Sequence, residues 1–313
     1  MRELISKPNF DFIGKRYLCA VLSLVAVAAS MWVFIQKGDD KYGTDFSGGH
    51  EFLVSFTGDF NTDKVRTGLA SNNLADARVQ AFQGEKNEYS VRLGEVGQID
   101  EVRAKLDGAL RAAFGDSAKI VKSDYVGPTV GKELRTSALI AVGLGLLGIL
   151  AYIAIRFEFA LGLGSIIALF HDVIIATGVY LAAGHVFSMS TLAAALTIVG
   201  YSVNDTVVVF DRVREERAKK KGASLASIVN EAINFTLSRT IITHLLTFIS
   251  ALALYTLGGG EIKDLSLYLV AGIVCGAYST MFVVAPIVVA WEEWRGRGAA
   301  QTVSRGAQAK QAV

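Results

Sequence analysis

The sequence predicts an α-helical polytopic membrane protein of six spans, with a small α+β domain inserted between the first and the second. Three observations carry this. First, 52% of the 313 residues are hydrophobic and mean hydropathy is +0.41, too apolar for a soluble domain of this size. Second, six apolar runs are long enough for a bilayer core, which takes about 20 helical residues. Third, between Lys37 and Arg135 the composition turns soluble and no such run occurs. The expected division is 1–36 for the N-terminus and first helix, 37–135 for the inserted domain, 136–292 for helices 2–6, and 293–313 for a disordered tail.

Residues 1–16 are polar and carry Arg2, Lys7, Lys15 and Arg16; Tyr17 to Ile35 then forms the first apolar run. Ala28-Ala29-Ser30 resembles a signal cleavage site, but the run continues through Met31, Trp32, Val33, Phe34 and Ile35, so an uncleaved span is expected. In the domain, His50 to Phe56 alternates as a half-buried strand does, and Asn61 to Asn73 places Val65 and Leu69 at helical spacing. Ala77 to Gln83 and Glu88 to Leu93 read as strands around the turn Gly84-Glu85-Lys86-Asn87. Gln98 to Phe114 aligns Ile99, Val102, Leu106, Leu110 and Phe114 on one helical face, and Lys119 to Val126 is a last strand. The order βαββαβ is that of a ferredoxin-like unit, a sheet with both helices on one face.

Gly127-Pro128 is a stop signal, after which spans are expected at Ser137–Ile155, Phe159–Ala183, Val186–Phe210, Thr240–Leu257 and Leu265–Trp291. Arg156, the cluster Arg212 to Lys221, the basic residues after the last span and those of the N-terminus all fall on one side, which the positive-inside rule makes cytoplasmic. Both termini are then cytoplasmic and the domain is extracytoplasmic. A net charge of +2 gives no ground for a nucleic-acid partner. Cys19 and Cys275 lie in apolar runs and imply no disulfide framework. There is no nucleotide-binding glycine loop and no metal-spaced His/Cys cluster, so no cofactor beyond coupling protons is expected and an ATP motor is disfavoured.

The polar residues inside the spans carry the chemistry. Asn204 and Asp205 lie in the apolar part of Leu196 to Arg217. An Asp at the centre of a spanning helix costs about 2.5 to 3.5 kcal/mol, so it faces a bundle interior or a wet cavity and marks function. His171 and Asp172 stand roughly 18 Å into the third span at 1.5 Å per residue, a pair suited to carrying protons or, more plainly, to bonding helices together. Arg239 opens the fifth span, with His244 five positions further in. If Asp205 lies in the cytoplasmic half of its helix, Arg239 would hold it ionised and, on leaving, would let a proton bind; otherwise Arg239 snorkels to headgroups. Gly272 and Gly276 form a GxxxG packing motif, and Gly143, Gly145, Gly148, Gly162 and Gly164 thin spans two and three.

Several motifs together resemble the SecF family of membrane subunits of bacterial protein export: Gly43-Thr44-Asp45-Phe46-Ser47-Gly48-Gly49, Val126-Gly127-Pro128, His171-Asp172-Val173, Gly200 to Thr206 running into Asp211-Arg212-Val213-Arg214-Glu215, and Arg239-Thr240. The resemblance implies one six-helix half of an RND-type transporter in the bacterial inner membrane. SecD would supply the other half, and the pair would work with the SecYEG channel on exported unfolded polypeptide, driven by the proton-motive force. It implies a proton path through Asp205 and Arg239, with Asn204, His171 and Asp172 as participants. Asp45, Phe46, Gly48 and Gly49 would couple the helices to the domain. His244 departs from the resemblance, since relatives commonly carry a small hydroxyl residue there. Two other readings are an intramembrane aspartyl protease using Asp172 and Asp205, against which stands the lack of a Gly-x-Gly-Asp context, and a non-transporting scaffold.

Overall fold

A chain in hydrocarbon must satisfy its own backbone hydrogen bonds, and continuous helices do so. The computed structural model has six helices long and apolar enough to cross a membrane. It describes residues 8–81, 87–94, 97–156, 159–220 and 222–295, with 159 and 160 as backbone only; the expected turn at 84–86 and the tail beyond 295 lie outside these.

The first spanning helix, α1 (Arg16–Gln36), is apolar on all sides and leaves Leu18, Leu24 and Trp32 exposed. A short helix α2 (Thr44–Ser47) then leads through Gly48 and Gly49 into the domain. Both glycines have φ in the left-handed region, +71° and +111°. At Gly49 a Cβ would come within 2.6 Å of the Leu93 carbonyl oxygen, so the turn into the sheet admits no side chain.

The domain is the expected βαββαβ unit, formed by β1 (Gly49–Phe56), α3 (Thr62–Ala70), β2 (Arg78–Ala81), β3 (Glu88–Leu93), α4 (Ile99–Phe114) and β4 (Ala118–Val126). The strand order is β2-β3-β1-β4, each neighbour antiparallel. Alternation along β1 turns Phe52, Val54 and Phe56 to one face, where Val65 and Leu69 of α3 and Val102, Leu106 and Leu110 of α4 close the core. Each fully buried apolar side chain of that core contributes about 1.5–3 kcal/mol relative to exposure. The β1–β4 register slips between Leu53 and Val54, a bulge that leaves Val121 extra on β4. The helix-free face carries Glu51, Ser90, Arg92, Lys122 and Asp124 and is turned toward the bundle. Gln80 hydrogen-bonds the Gly184 carbonyl, and Lys122 lies 3.9 Å from Glu261.

The remaining spanning helices are α5 (Pro128–Arg156), α6 (Phe159–Ala182), α7 (Met189–Lys219), α8 (Leu225–Leu257) and α9 (Gly260–Ser279), which continues through a π-turn at Thr280–Val284 toward Arg295. Three boundaries differ from the sequence expectation for physical reasons. Pro128, read as a stop, instead starts α5, because a first-turn proline loses no hydrogen bond. Ser188 caps α7 by accepting from the Thr191 amide, which moves its start from Val186 to Met189. Helices α7 and α8 also run well past the apolar stretches on the side away from the domain, since Ala, Glu, Arg and Lys form helix as readily as they avoid lipid.

Helix α9 is the centre of the bundle and packs on α6, α7 and α8, while α1 lies against α6. Close approach depends on glycine. A Cβ on Gly272 would stand 2.5 Å from Ile198 of α7, and one on Gly178 of α6 would stand 2.3 Å from Ser30 of α1. Away from the domain, the segment before α1 is not the simple polar leader the sequence suggests. Phe12 and Ile13 are buried against the ends of α7, α8 and α9. Asn230 and Asn234 of α8 clamp its backbone: the Phe10 and Phe12 amides donate to them at 2.8 Å each, and both side chains donate back to the Phe10 carbonyl.

Candidate functional site

Two buried carboxylates occupy the bundle interior, reached from the same helix α7. Asp172 of α6 is fully buried, and its Oδ2 accepts 2.7 Å hydrogen bonds from Ser202 Oγ of α7 and Ser279 Oγ of α9. Its Oδ1 lies 3.0 Å from His171 Nδ1. One acid thus joins three helices. Gly276 of α9 faces this cluster, where a Cβ would make only ordinary contact, 3.9 Å from Asp172 Oδ2, so of the GxxxG pair it is Gly272 that the close packing requires. The π-turn begins one residue after Ser279, and its first residue, Thr280, lies 3.3 Å from Thr206 of α7 through their hydroxyl oxygens. Such turns recur at functional sites because they free backbone groups and re-aim side chains.

Asp205 lies on the same buried face of α7, one turn beyond Ser202. It is 7% exposed, and its Oδ1 accepts from Thr240 Oγ1 of α8 at 3.1 Å. Its Oδ2 has no hydrogen-bond partner among the described residues. His244 is also buried; its Nδ1 lies 2.9 Å from the Thr240 carbonyl oxygen, and its Nε2 has no partner among the described residues. Tyr201 meets the His244 ring edge-on at 5.1 Å.

The sequence-derived residues are therefore divided. The structure groups His171 with Asp172, and Asp205 with Thr240 and His244. The direct partner of Asp205 from α8 is Thr240 and not Arg239, which is exposed at the next position and within electrostatic reach only. Asn204 faces outward, exposed, because successive helical residues point about 100° apart and Asp205 takes the interior direction. The two carboxylates bond different groups and do not form the shared-proton pair that an aspartyl protease requires.

The segment Gly43 to Gly49 sits where the domain meets the bundle. Asp45 Oδ2 accepts a 2.8 Å hydrogen bond from the Met189 amide, satisfying a free N–H in the first turn of α7. Gly43 donates to the Phe187 carbonyl at 2.7 Å, the Phe187 amide donates to Lys41, and Gly48 lies against Gly131 in the first turn of α5. Phe46 is half-buried. A cleft of about 890 Å³ opens beside this contact, lined by Thr44, Asp45, Glu51, Lys122, Asp124 and Glu261 among others. Within it, Thr44 and Ser90 donate to the two oxygens of Glu51, and Asp124 raises the Lys122 ammonium above its ordinary range by a hydrogen bond. Burial lowers the Arg92 guanidinium, whose Nη1 donates to the Tyr42 carbonyl at 2.9 Å.

Sequence reasoning did not single out Ser202, Ser279, Thr240 or Thr280 as members of the site. Two of them carry a signal of helical spacing from a titratable residue inside a span, Ser202 three residues before Asp205 and Thr240 four before His244, and both fall within the motifs that carry the family resemblance. It also missed His185, whose Nδ1 lies 2.8 Å from Asp264 Oδ1 beneath the domain.

Comparison with known proteins agrees with this architecture. A family model described as protein export membrane protein SecD/SecF, C-terminal, matches residues 107–294. The protein translocase subunit SecF of Petrotoga mobilis is 37% identical over 290 residues, covering 90% of this chain and 96% of that protein. The protein translocase subunit SecDF of Thermus thermophilus is 39% identical over 92% of this chain, which spans 39% of that longer polypeptide. The crystal structure of Thermus thermophilus SecDF overlays with a TM-score of 0.82 at 38% identity, covering 91% of this chain and 39% of that one. SecDF in its super-membrane-facing form overlays at 0.69, also at 38% identity, covering 95% and 41%. With six spanning helices, a βαββαβ insertion between the first two, and these relatives across nearly its full length, the chain is a multi-pass membrane protein that belongs to the SecF family.

Proposed function

We propose that this chain serves protein translocation as the SecF half of an assembly with SecD in the bacterial inner membrane. It acts with the SecYEG channel, and the proton-motive force drives its help in late steps of moving exported, unfolded polypeptide. Both termini lie in the cytoplasm and the βαββαβ domain lies outside.

One observation carries the reading. The helix that holds Asp205 in the interior, with one carboxylate oxygen unbonded, is the helix whose first turn is capped by Asp45 at the base of the domain. Protonation at Asp205 changes the charge on α7, and any resulting shift of α7 is delivered at its far end to the segment carrying the domain. One charge crossing 100 mV supplies about 2.3 kcal/mol, enough to bias a conformational equilibrium of ordinary size. The SecDF structures overlay on this chain at TM-scores of 0.82 and 0.69, the second being named for a super-membrane-facing form, which supports a family that takes more than one arrangement. His171 and Asp172 fasten α6, α7 and α9 beside the path. Arg239 and Asn204 are exposed on this chain alone and suit the face that SecD covers.

The test is Asp205→Asn assembled with SecD and SecYEG in vesicles carrying an imposed proton gradient. Loss of gradient-stimulated translocation with assembly intact is expected; retained stimulation would sink the reading and favour a scaffold.

A further inference from the structure

His244 has no part in the path described above, yet it is 6% exposed and stands one helical turn from the residue that binds Asp205. Its tautomer follows from its partner. A carbonyl oxygen only accepts, so the 2.9 Å contact to the Thr240 carbonyl requires the proton on Nδ1. In the neutral ring Nε2 is then a bare lone pair. Asp205 Oδ2, when ionised, is a second bare acceptor, and neither atom has a partner among the described residues. Thr240 serves both, its hydroxyl donating to Asp205 and its carbonyl accepting from His244.

We propose that His244 is a second proton carrier of the Asp205 site, with one proton shared between His244 Nε2 and Asp205 Oδ2 across a bridging water. Such a water can donate to both acceptors when neither carries a proton, and can accept from Nε2–H while donating to Oδ2 when one proton is added, so the site gains or loses a proton without leaving either atom unbonded. A proton arriving from solvent forms the Nε2–H bond, and departure returns the electron pair to Nε2. A second proton can then reside on the carboxylate. This rests on Asp205 being the proton-path acid, and it deepens that reading from one titrating group to two. Tyr201 of α7 meets the His244 ring and Asp205 of α7 lies within electrostatic reach of it; Arg239 of its own helix is exposed and lies within reach of Asp205, whereas Cys275 of α9 lies near Asp172 of α6.

Nitrogen-15 NMR of histidine-labelled full-length chain, assembled with SecD in bilayers, reads the ring directly. The chain has four histidines, and His244→Gln assigns the signal by subtraction. The expected spectrum at high pH has a protonated Nδ1 and a bare Nε2. Imidazolium should form as pH falls, and Asp205→Asn should move its midpoint to lower pH, because the carboxylate that favours the cation is gone. A ring that stays neutral throughout, that carries its proton on Nε2, or whose midpoint ignores Asp205→Asn would overturn the proposal. In the translocation assay, His244→Gln should change the pH profile of gradient stimulation, and an unchanged profile counts equally against the proposal. Retained stimulation in Asp205→Asn would instead fail the parent reading, so the two failures are distinguishable.

Discussion

Asp172 and Asp205 are both buried acids, and their hydrogen bonds assign them different work. Asp172 is bonded on both oxygens, to Ser202, Ser279 and His171, so it holds helices together. Replacing it by Asn puts an amide N–H₂ against groups that donate. We expect Asp172→Asn to cost about 1–3 kcal/mol, read as a lower melting temperature of the detergent-solubilised assembly. Asp205, with one bare oxygen, should tolerate Asn with little loss of stability while losing function. An equal loss of stability in both variants would contradict the division. Thr240→Val keeps size and removes the one side-chain donor to Asp205 among the described residues, so proton-driven activity should fall severalfold while Thr240→Ser retains most of it. The acids were legible in the sequence because charge in an apolar run is conspicuous. The hydroxyls that bind them were not, since Thr236, Thr243 and Thr256 bond only carbonyls of the preceding turn, and nothing in a sequence separates those from Thr240.

At the scale of elements, the number and order of helices and strands follow from hydrophobic periodicity, but helix ends and the contacts that join elements do not. Periodicity reports which face is apolar. It is silent on Pro128 starting a helix, on Ser188 and Asp45 together capping α7, and on a π-turn that displaces α9 beside Ser279. The N-terminal segment was hidden for a similar reason, because two apolar residues, Phe12 and Ile13, lie within a basic stretch and their clamps come from distant asparagines. Removing a capping acceptor costs about 0.5–2 kcal/mol, so Asp45→Ala should fray the first turn of α7. Faster amide exchange at Met189 checks this, and exchange unchanged from the parent would show that the cap is redundant. Asn230→Ala combined with Asn234→Ala should expose residues 10–13 to protease without unfolding the bundle.

Across the whole molecule, a polar sheet face stands over a helical bundle, touching it through Gln80, Asp45 and the Gly43–Phe187 hydrogen bond, with an open cleft between. Two of these contacts, Asp45 with the Met189 amide and Gly43 with the Phe187 carbonyl, lie at the start of α7, and others reach α5, α9 and the turn after α6. A bundle that changes charge at Asp205 therefore has a short mechanical route to the domain. Spin labels at Arg103 of α4 and Arg214 of α7, both exposed, measure that route directly in the assembly with SecD. The distance distribution should shift between high and low pH in the parent chain and stay fixed in Asp205→Asn. A shift that persists unchanged in Asp205→Asn would contradict the account at its centre.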